Sequence, residues 1–286
     1  MTSLANELTA EEVERAYNNR AAVPDHQRWL DEWVERSRRA METLRPAIDI
    51  RYGTQPKETL DLYLPATSPR GTLMYIHGGW WRSLDKADYA FVAPAFIAAG
   101  FAVAMVNYDL CPDATIANAV DECRRALSWL AREGAKRGAP MPIVVGGHSA
   151  GGHLTAMMYT ADWRAQGFEK APFAGGVSLS GVHDLTPLTK FSHNVDFGLD
   201  DAEARRMSPA LARPLVDKPI ALAVGADETS GFVHQTDLMW DTWPGNRPQG
   251  MIKPMQIAGR HHYSVVLGYV DPQSALTQAT LALFRG

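Results

Sequence analysis

Hydrophobic positions along this chain follow two different periods. Trp29, Trp33, Ser37, Met41 and Leu44 recur in three- and four-residue steps, as do Ile116, Val120, Cys123, Leu127 and Leu130. Those steps predict amphipathic helices with one face turned inward. Between the helical stretches lie short apolar runs closed by Gly, Pro or Asp, near 48–52, 60–63, 73–76, 101–106, 143–145, 175–179, 220–224 and 254–257. All of these read as strands, those such as 73–76 and 143–145 with no polar residue as strands buried on both sides, and helical patterns alternate with the later ones. That succession predicts an α/β fold with a mainly parallel sheet covered on both faces. Local signals set several ends. Thr9-x-x-Glu12 is a capping box that opens a first helix, and Asp25 is expected to cap the Trp29/Trp33 helix. Asp271 with Pro272 at the first helical position predicts a last helix that turns Ala275, Leu276, Ala279 and Leu283 inward.

At 286 residues, with 46% hydrophobic residues, the chain is long enough for one large core. No linker, repeat or low-complexity stretch divides it, so a single domain over 1–286 is expected. Two segments fall outside the strand–helix alternation: the N-terminal helices, 1–46, and the region 182–214. Either could form a lid or cap. A formal charge of −4 gives no basic field for nucleic acid and no polybasic membrane anchor. No apolar run reaches the roughly 18 residues needed to span a bilayer. The first residues carry no signal-peptide pattern, so the expected compartment is the cytoplasm. Two cysteines fit that setting: Cys123 lies on a helical stripe and reads as core, and Cys111 precedes Pro112 in a loop. No metal motif stands out, since His148 and His153 are five apart where a helical zinc pair uses four. No cofactor is expected.

Chemistry concentrates at the carboxyl ends of the predicted strands. The run at 143–145 feeds Gly147-His148-Ser149-Ala150-Gly151 and then an Ala/Leu/Met helical pattern. This is G-x-S-x-G in the strand–turn–helix context of a nucleophile elbow, which holds a serine clear of the backbone. The run at 73–76 leads into His77-Gly78-Gly79-Trp80-Trp81. A loop of that kind can aim amides at a developing oxyanion, and Gly79, Trp80 and Ala150 are the candidate donors. A serine nucleophile needs a histidine base, and the base needs a carboxylate to orient it. After Ser149 in the chain, Asp227 and Glu228 follow the strand at 220–224, and His261 and His262 follow the strand at 254–257. Spacing favours Glu228, with Asp227 as the alternative acid, and the anchoring Tyr263 and Val265-Val266 that follow favour His262 over His261. Trp80, Trp81 and Tyr89 would line an aromatic pocket.

These motifs resemble the kynurenine formamidase (arylformamidase) branch of the α/β-hydrolases and related bacterial esterases. The likeness runs through YNNRAAVPDH, YGTQPKETLDLYLP, HGGWWRSLDKADYAFVAP, VNYDLCPDATI, GHSAGGHLTAMM, LSGVHDLTPL, LDDAEARRMSP and FVHQT. It implies the α/β-hydrolase fold, with Ser149 as nucleophile, Glu228 as acid, His262 as base, and Trp81 and Tyr89 near the substrate. It further implies hydrolysis of a small aryl formamide through an acyl-serine. A carboxylesterase on small esters is the alternative, and a non-catalytic binding protein a distant one. The expected partner is a small, aromatic substrate; the oligomeric state, a homodimer included, stays open. Two departures border the predicted site. His261 stands where the family usually has an acidic residue, and Ser230-Gly231 stands where it often has Pro-Glu.

Overall fold

The computed structural model describes residues 8–285. Its sheet has eight strands in the order β1-β2-β4-β3-β5-β6-β7-β8. These are β1 Ala47–Arg51, β2 Thr59–Tyr63, β3 Thr72–Ile76, β4 Ala102–Val106, β5 Ile143–His148, β6 Gly175–Leu179, β7 Ile220–Gly225 and β8 Met255–Ile257. Each corresponds to one of the predicted apolar runs. β1 and β2 join as an antiparallel edge, and β3 to β8 pair in parallel. The helices are α1 Ala10–Tyr17, α2 Asn19–Ala22, α3 His26–Leu44, α4 Ala93–Ala98, α5 Ile116–Glu133, α6 Ala150–Met157, α7 Asn194–Phe197, α8 Asp201–Arg206, α9 Ser230–Thr242 and α10 Ala275–Ala282.

Strand residues alternate between two cores, as the pleat requires. In β3, Met74 and Ile76 join one apolar cluster with α1, α5, α6 and α9, while Leu73 and Tyr75 join another with α3, α4 and α10. Both faces are covered, so β3 to β7 are buried along their whole length and carry no polar face to alternate. The stripe Ile116, Val120, Cys123, Leu127 and Leu130 is buried, as its spacing predicts. Among the described residues no helix is long and apolar enough to cross a membrane.

Three helix starts differ from expectation. The capping box at Thr9 and Glu12 forms. Asp25 precedes α3 but makes no side-chain cap, because its backbone (φ −91°, ψ 21°) lacks the extended geometry a capping side chain needs. α10 begins at Ala275, capped by Ser274, whose Oγ accepts the Thr277 N–H at 3.1 Å. Asp271 instead folds its carboxylate onto the Gln273 N–H at 2.8 Å, so Pro272 belongs to the preceding turn. Ala275 is therefore exposed and Ala279 half-buried; Leu276, Thr277, Thr280 and Leu283 face inward. The four-residue α2 was not anticipated; Asn18 caps it by accepting the Ala21 N–H at 2.9 Å.

Burial holds four histidines neutral: His77 and His153 are pushed down to about 4, His183 to about 3, and His148 well below the usual imidazole range. Glu122 opposes them, since burial raises its carboxyl to about 7. The unfolded chain takes up protons on these histidines near its ordinary pKa of about 6.5 while the folded chain does not. Stability is therefore fully present above that value and declines as pH falls toward 4. Glu122 acts with the opposite sign between its unfolded value and about 7, as do Asp61 and Asp88, whose carboxyls burial also raises, but their ordinary range lies lower and the four histidines dominate between pH 7 and 5. A thermal melt at pH 5 should lie about 5 °C or more below the melt at pH 7. A Tm that stays level or rises on acidification over that interval contradicts this assignment.

Candidate active site

Chain order reverses across β3: the connection after β3 leads to β4 on one side, and β5 returns to the other. Such a reversal opens a crevice outside the carboxyl ends of the flanking strands. The His77-Gly78-Gly79 loop leaves β3 there, and Ser149 follows β5 in the neighbouring position. Ser149 sits at φ 57°, ψ −118°, a strained turn between strand and helix. The strain is imposed by proximity. A Cβ built on Gly151 would lie 2.0 Å from the Ile76 carbonyl oxygen, and one on Gly147 would lie 2.3 Å from the Gly151 carbonyl oxygen. Only glycine lets β5, α6 and the end of β3 approach this closely.

Three loops meet at the serine. His262 Nε2 lies 3.0 Å from Ser149 Oγ, and His262 Nδ1 lies 2.6 Å from Glu228 Oε2. An ionised carboxylate only accepts, so Nδ1 carries the proton and Nε2 accepts the serine O–H. Glu228 is itself fixed: its Oε1 accepts the Gly225 N–H at 2.8 Å and the hydroxyl of Ser180. Ser180, just after β6, adopts φ 52° to deliver that hydroxyl. The Glu228 side chain has no solvent exposure and the His262 side chain is 6% exposed, so water does not compete for this hydrogen bond. Asp227 is exposed and turned away, while His261 packs edge-on against Trp29 at 4.9 Å.

Two buried rings support His262 from behind. His148 lies 4.7 Å from it, centroid to centroid, and shares a hydrogen bond with the Tyr89 hydroxyl at 3.0 Å. Burial, followed by the neighbouring His262, drives the His148 pKa down, so His148 stays neutral beside the base. Trp33 of α3 donates its indole N–H to the Tyr263 carbonyl at 3.0 Å, tying the N-terminal helix to the residue after His262.

A cavity of about 60 Å³ opens onto Ser149 and His262. Gly79, Trp80 and Tyr89 line it, with Asn19 and Arg20 from α2 and Leu30 and Trp33 from α3. Gly79 (φ 108°), Trp80 and Trp81 (φ 54° each) form a run of left-handed backbone, closed where the Gly79 carbonyl accepts the Arg82 and Ser83 N–H groups. Neither the Gly79 nor the Trp80 N–H donates to a backbone carbonyl among the described residues. Ala150 is buried at the first position of α6. Trp81 corrects an expectation: it does not line the cavity but is fully buried beneath it, edge-on to His153 at 5.0 Å and Phe197 at 5.6 Å. Adjacent residues in the same backbone conformation point apart, and Trp80 takes the cavity side. Ser180, Asn19 and Arg20 were not singled out from sequence. A serine ending an apolar strand and polar residues in a short N-terminal helix carry no pattern of their own. Among the described residues no group of three or more His, Cys, Asp or Glu is arranged to hold a metal ion.

Residues 60–215, more than half of the chain, match the BD-FAE family. The chain belongs to the BD-FAE family. This member's sheet has the α/β-hydrolase fold, and its sequence is similar to kynurenine formamidases over most of its length. The kynurenine formamidase of Salmo salar is 26% identical, spanning 91% of this chain and 88% of the relative. That of Danio rerio is 27% identical, spanning 89% and 86%. A solved structure from Silicibacter sp., provisionally named a thioesterase, superposes with a TM-score of 0.82 at 28% identity, covering 95% of this chain and 98% of the other. Esterase B from Lactobacillus rhamnosis shares the fold, with a TM-score of 0.69 at 20% identity over 93% and 96%. The matched segment runs from β2 to beyond α8 and includes the HGG loop and Ser149; Glu228, His262 and the N-terminal helices lie outside it.

Replacing Ser180 by alanine removes one of the two hydrogen bonds to Glu228 Oε1 while keeping the backbone. A hydrogen bond to a charged group is worth about 1.5–3 kcal/mol, so hydrolytic kcat should fall about tenfold or more in Ser180→Ala. Steady-state kinetics on purified wild type and variant check this. An unchanged kcat contradicts a positioning role for Ser180.

Proposed function

We propose that this protein is a serine hydrolase that removes a small acyl group, formyl foremost, from an aryl amine. The observation that carries this reading is the hydrogen-bonded chain Ser149–His262–Glu228 opening onto a cavity of only about 60 Å³. A formyl or acetyl group is small enough to sit beside Ser149 in this space. Trp33, Trp80, Tyr89 and Tyr263 supply aromatic walls for a flat leaving group. Relatives of similar length are named kynurenine formamidases, which favours a formamide.

In this mechanism Ser149 Oγ attacks the scissile carbonyl carbon as its proton passes to His262 Nε2, and Glu228 stabilises the resulting imidazolium. The negative charge formed on the carbonyl oxygen is met by the N–H groups of Gly79, Trp80 and Ala150, set in place before the reaction by the left-handed loop and the start of α6. Collapse of the tetrahedral intermediate breaks the C–N bond, and His262 gives its proton to the departing aniline nitrogen. The formyl group stays on Ser149. A water then loses a proton to His262 and attacks this ester, releasing formate and restoring the serine. The N-terminal helices act as a fixed roof, since α2 and α3 line the cavity and Trp33 binds the histidine loop.

Small-acyl esters are the second substrate class, because the same steps expel an alcohol in place of an aniline. A similar partial relative, from Mycobacterium tuberculosis, is named a probable carboxylic ester hydrolase and is 32% identical over 166 residues.

Ser149→Ala should lower kcat by about 10⁴-fold or more. On anilides with one aryl amine, wild-type kcat/KM should fall in the order formyl, acetyl, butyryl. Near-normal turnover by Ser149→Ala defeats the serine mechanism, and butyryl turned over as fast as formyl defeats the small-acyl assignment.

A further inference from the structure

Ser37 is the polar member of the stripe Trp29, Trp33, Ser37, Met41 and Leu44, yet it is buried. Its hydroxyl donates to the Asp88 carbonyl at 2.8 Å and accepts the Phe91 N–H at 3.3 Å. α3 therefore clamps the backbone on both sides of Tyr89. Trp33, one turn before Ser37, packs its ring 5.3 Å from that of Tyr89. The phenol is thus held as a fixed post, and what its hydroxyl touches is held with it.

That hydroxyl reaches two parts of the site. On one side is His148 Nδ1, at 3.0 Å. On the other is Gly78, where the HGG loop leaves β3. The Gly78 amide lies against the Tyr89 oxygen, and a Cβ built on Gly78 would come 2.8 Å from that oxygen and 2.8 Å from the His148 carbonyl oxygen. An amide N–H only donates, so the Tyr89 oxygen accepts from Gly78 and its own hydrogen goes to His148 Nδ1. His148 carries the link onward to the base: its ring lies 4.7 Å from that of His262 and faces the His262 backbone carbonyl. Tyr89 and His148 are each 1% exposed, so water does not stand in for either partner.

We propose that Tyr89 and His148 are positioning residues that keep the oxyanion loop and the catalytic histidine in register, through one hydrogen-bonded link running from Gly78 to the ring packed on His262. This rests on the serine hydrolase reading and adds to it two side chains whose polar atoms touch none of the reacting atoms. The Tyr89 ring walls the cavity while its hydroxyl serves the link.

Tyr89→Phe keeps the ring and breaks the link. With a formyl anilide as substrate, kcat should fall about tenfold while KM changes by less than about twofold, because the hydroxyl meets no substrate. His148→Leu should lower kcat to a similar extent. His148→Asn, whose Oδ1 can accept the same O–H, should recover most of the loss. The double variant Tyr89→Phe/His148→Leu should be no slower than the slower single variant, since both substitutions break one link. If His148→Leu does not fold, Tyr89→Phe carries the kinetic test alone. One-dimensional proton NMR reads the base without turnover, through the downfield resonance of the His262 Nδ1–H bonded to Glu228. It should be sharp in Ser149→Ala and broadened or lost in Ser149→Ala/Tyr89→Phe. If wild type hydrolyses neither anilides nor esters but this resonance depends on Tyr89, the link stands and the hydrolase reading falls; if it does not depend on Tyr89, both fall. In an active wild type, an unchanged kcat in folded Tyr89→Phe, a loss carried by KM alone, or losses that add in the double variant overturn the proposal.

Discussion

The hydrogen bond between Ser149 and His262 joins residues 113 positions apart in the chain, and every functional inference depends on it. It exists because two strand ends and a loop converge on one crevice. β5 delivers the serine, β7 carries the glutamate just past its end, and β8 leads into the histidine loop. None of these segments contacts its partners by local sequence. The parallel sheet aligns their carboxyl ends, and the reversal of chain order at β3 leaves the space between them open.

Holding that geometry requires strained backbone, and the strain is concentrated where the chemistry is. Seven non-glycine residues have positive φ among those described, and five of them belong to this region: Trp80, Leu84 and Ser149 line the cavity, Trp81 lies beneath it, and Ser180 binds Glu228. Conformations of this kind cost on the order of 1–3 kcal/mol each. They persist because the surroundings leave no alternative: the glycines of the elbow press against backbone carbonyls, and aromatic rings wedge the loops from behind. Trp33 is central to that packing. It lies 5.3 Å from Tyr89 and 5.9 Å from His148 while its indole holds the Tyr263 carbonyl. The N-terminal helix thereby becomes part of the site's support.

Much of this was legible in the sequence, for identifiable reasons. The central strands announce themselves because a sheet buried on both faces demands apolar runs, whereas β1 (AIDIR) lies exposed at the antiparallel edge and reads as a strand from its alternation. The elbow and the HGG loop are readable because close backbone approach restricts those positions to glycine. Glu228 and His262 follow from their places after strands. What escaped was information held only in three dimensions. Trp80 and Trp81 are equivalent in sequence, and only the left-handed loop decides that one faces the cavity and the other the core. Ser180 reads as an ordinary strand end until Glu228 folds over it. Asn19 and Arg20 occupy a helix too short to leave a periodic signal. Asp25 and Asp271 fit the composition of caps, but the backbone put Asp25 out of cap geometry and Asp271 into a turn.

Activation of Ser149 by His262 and Glu228 is the claim on which the rest turns, and a fluorophosphonate probe reads it directly. Intact-protein mass spectrometry followed by peptide mapping should find a single adduct on Ser149, formed rapidly in wild type and at least about a hundredfold more slowly in folded His262→Ala, since an unassisted serine hydroxyl is a weak nucleophile. Labelling of Ser149 at the same rate without the histidine, or no adduct on Ser149 in the wild-type protein, would contradict the account.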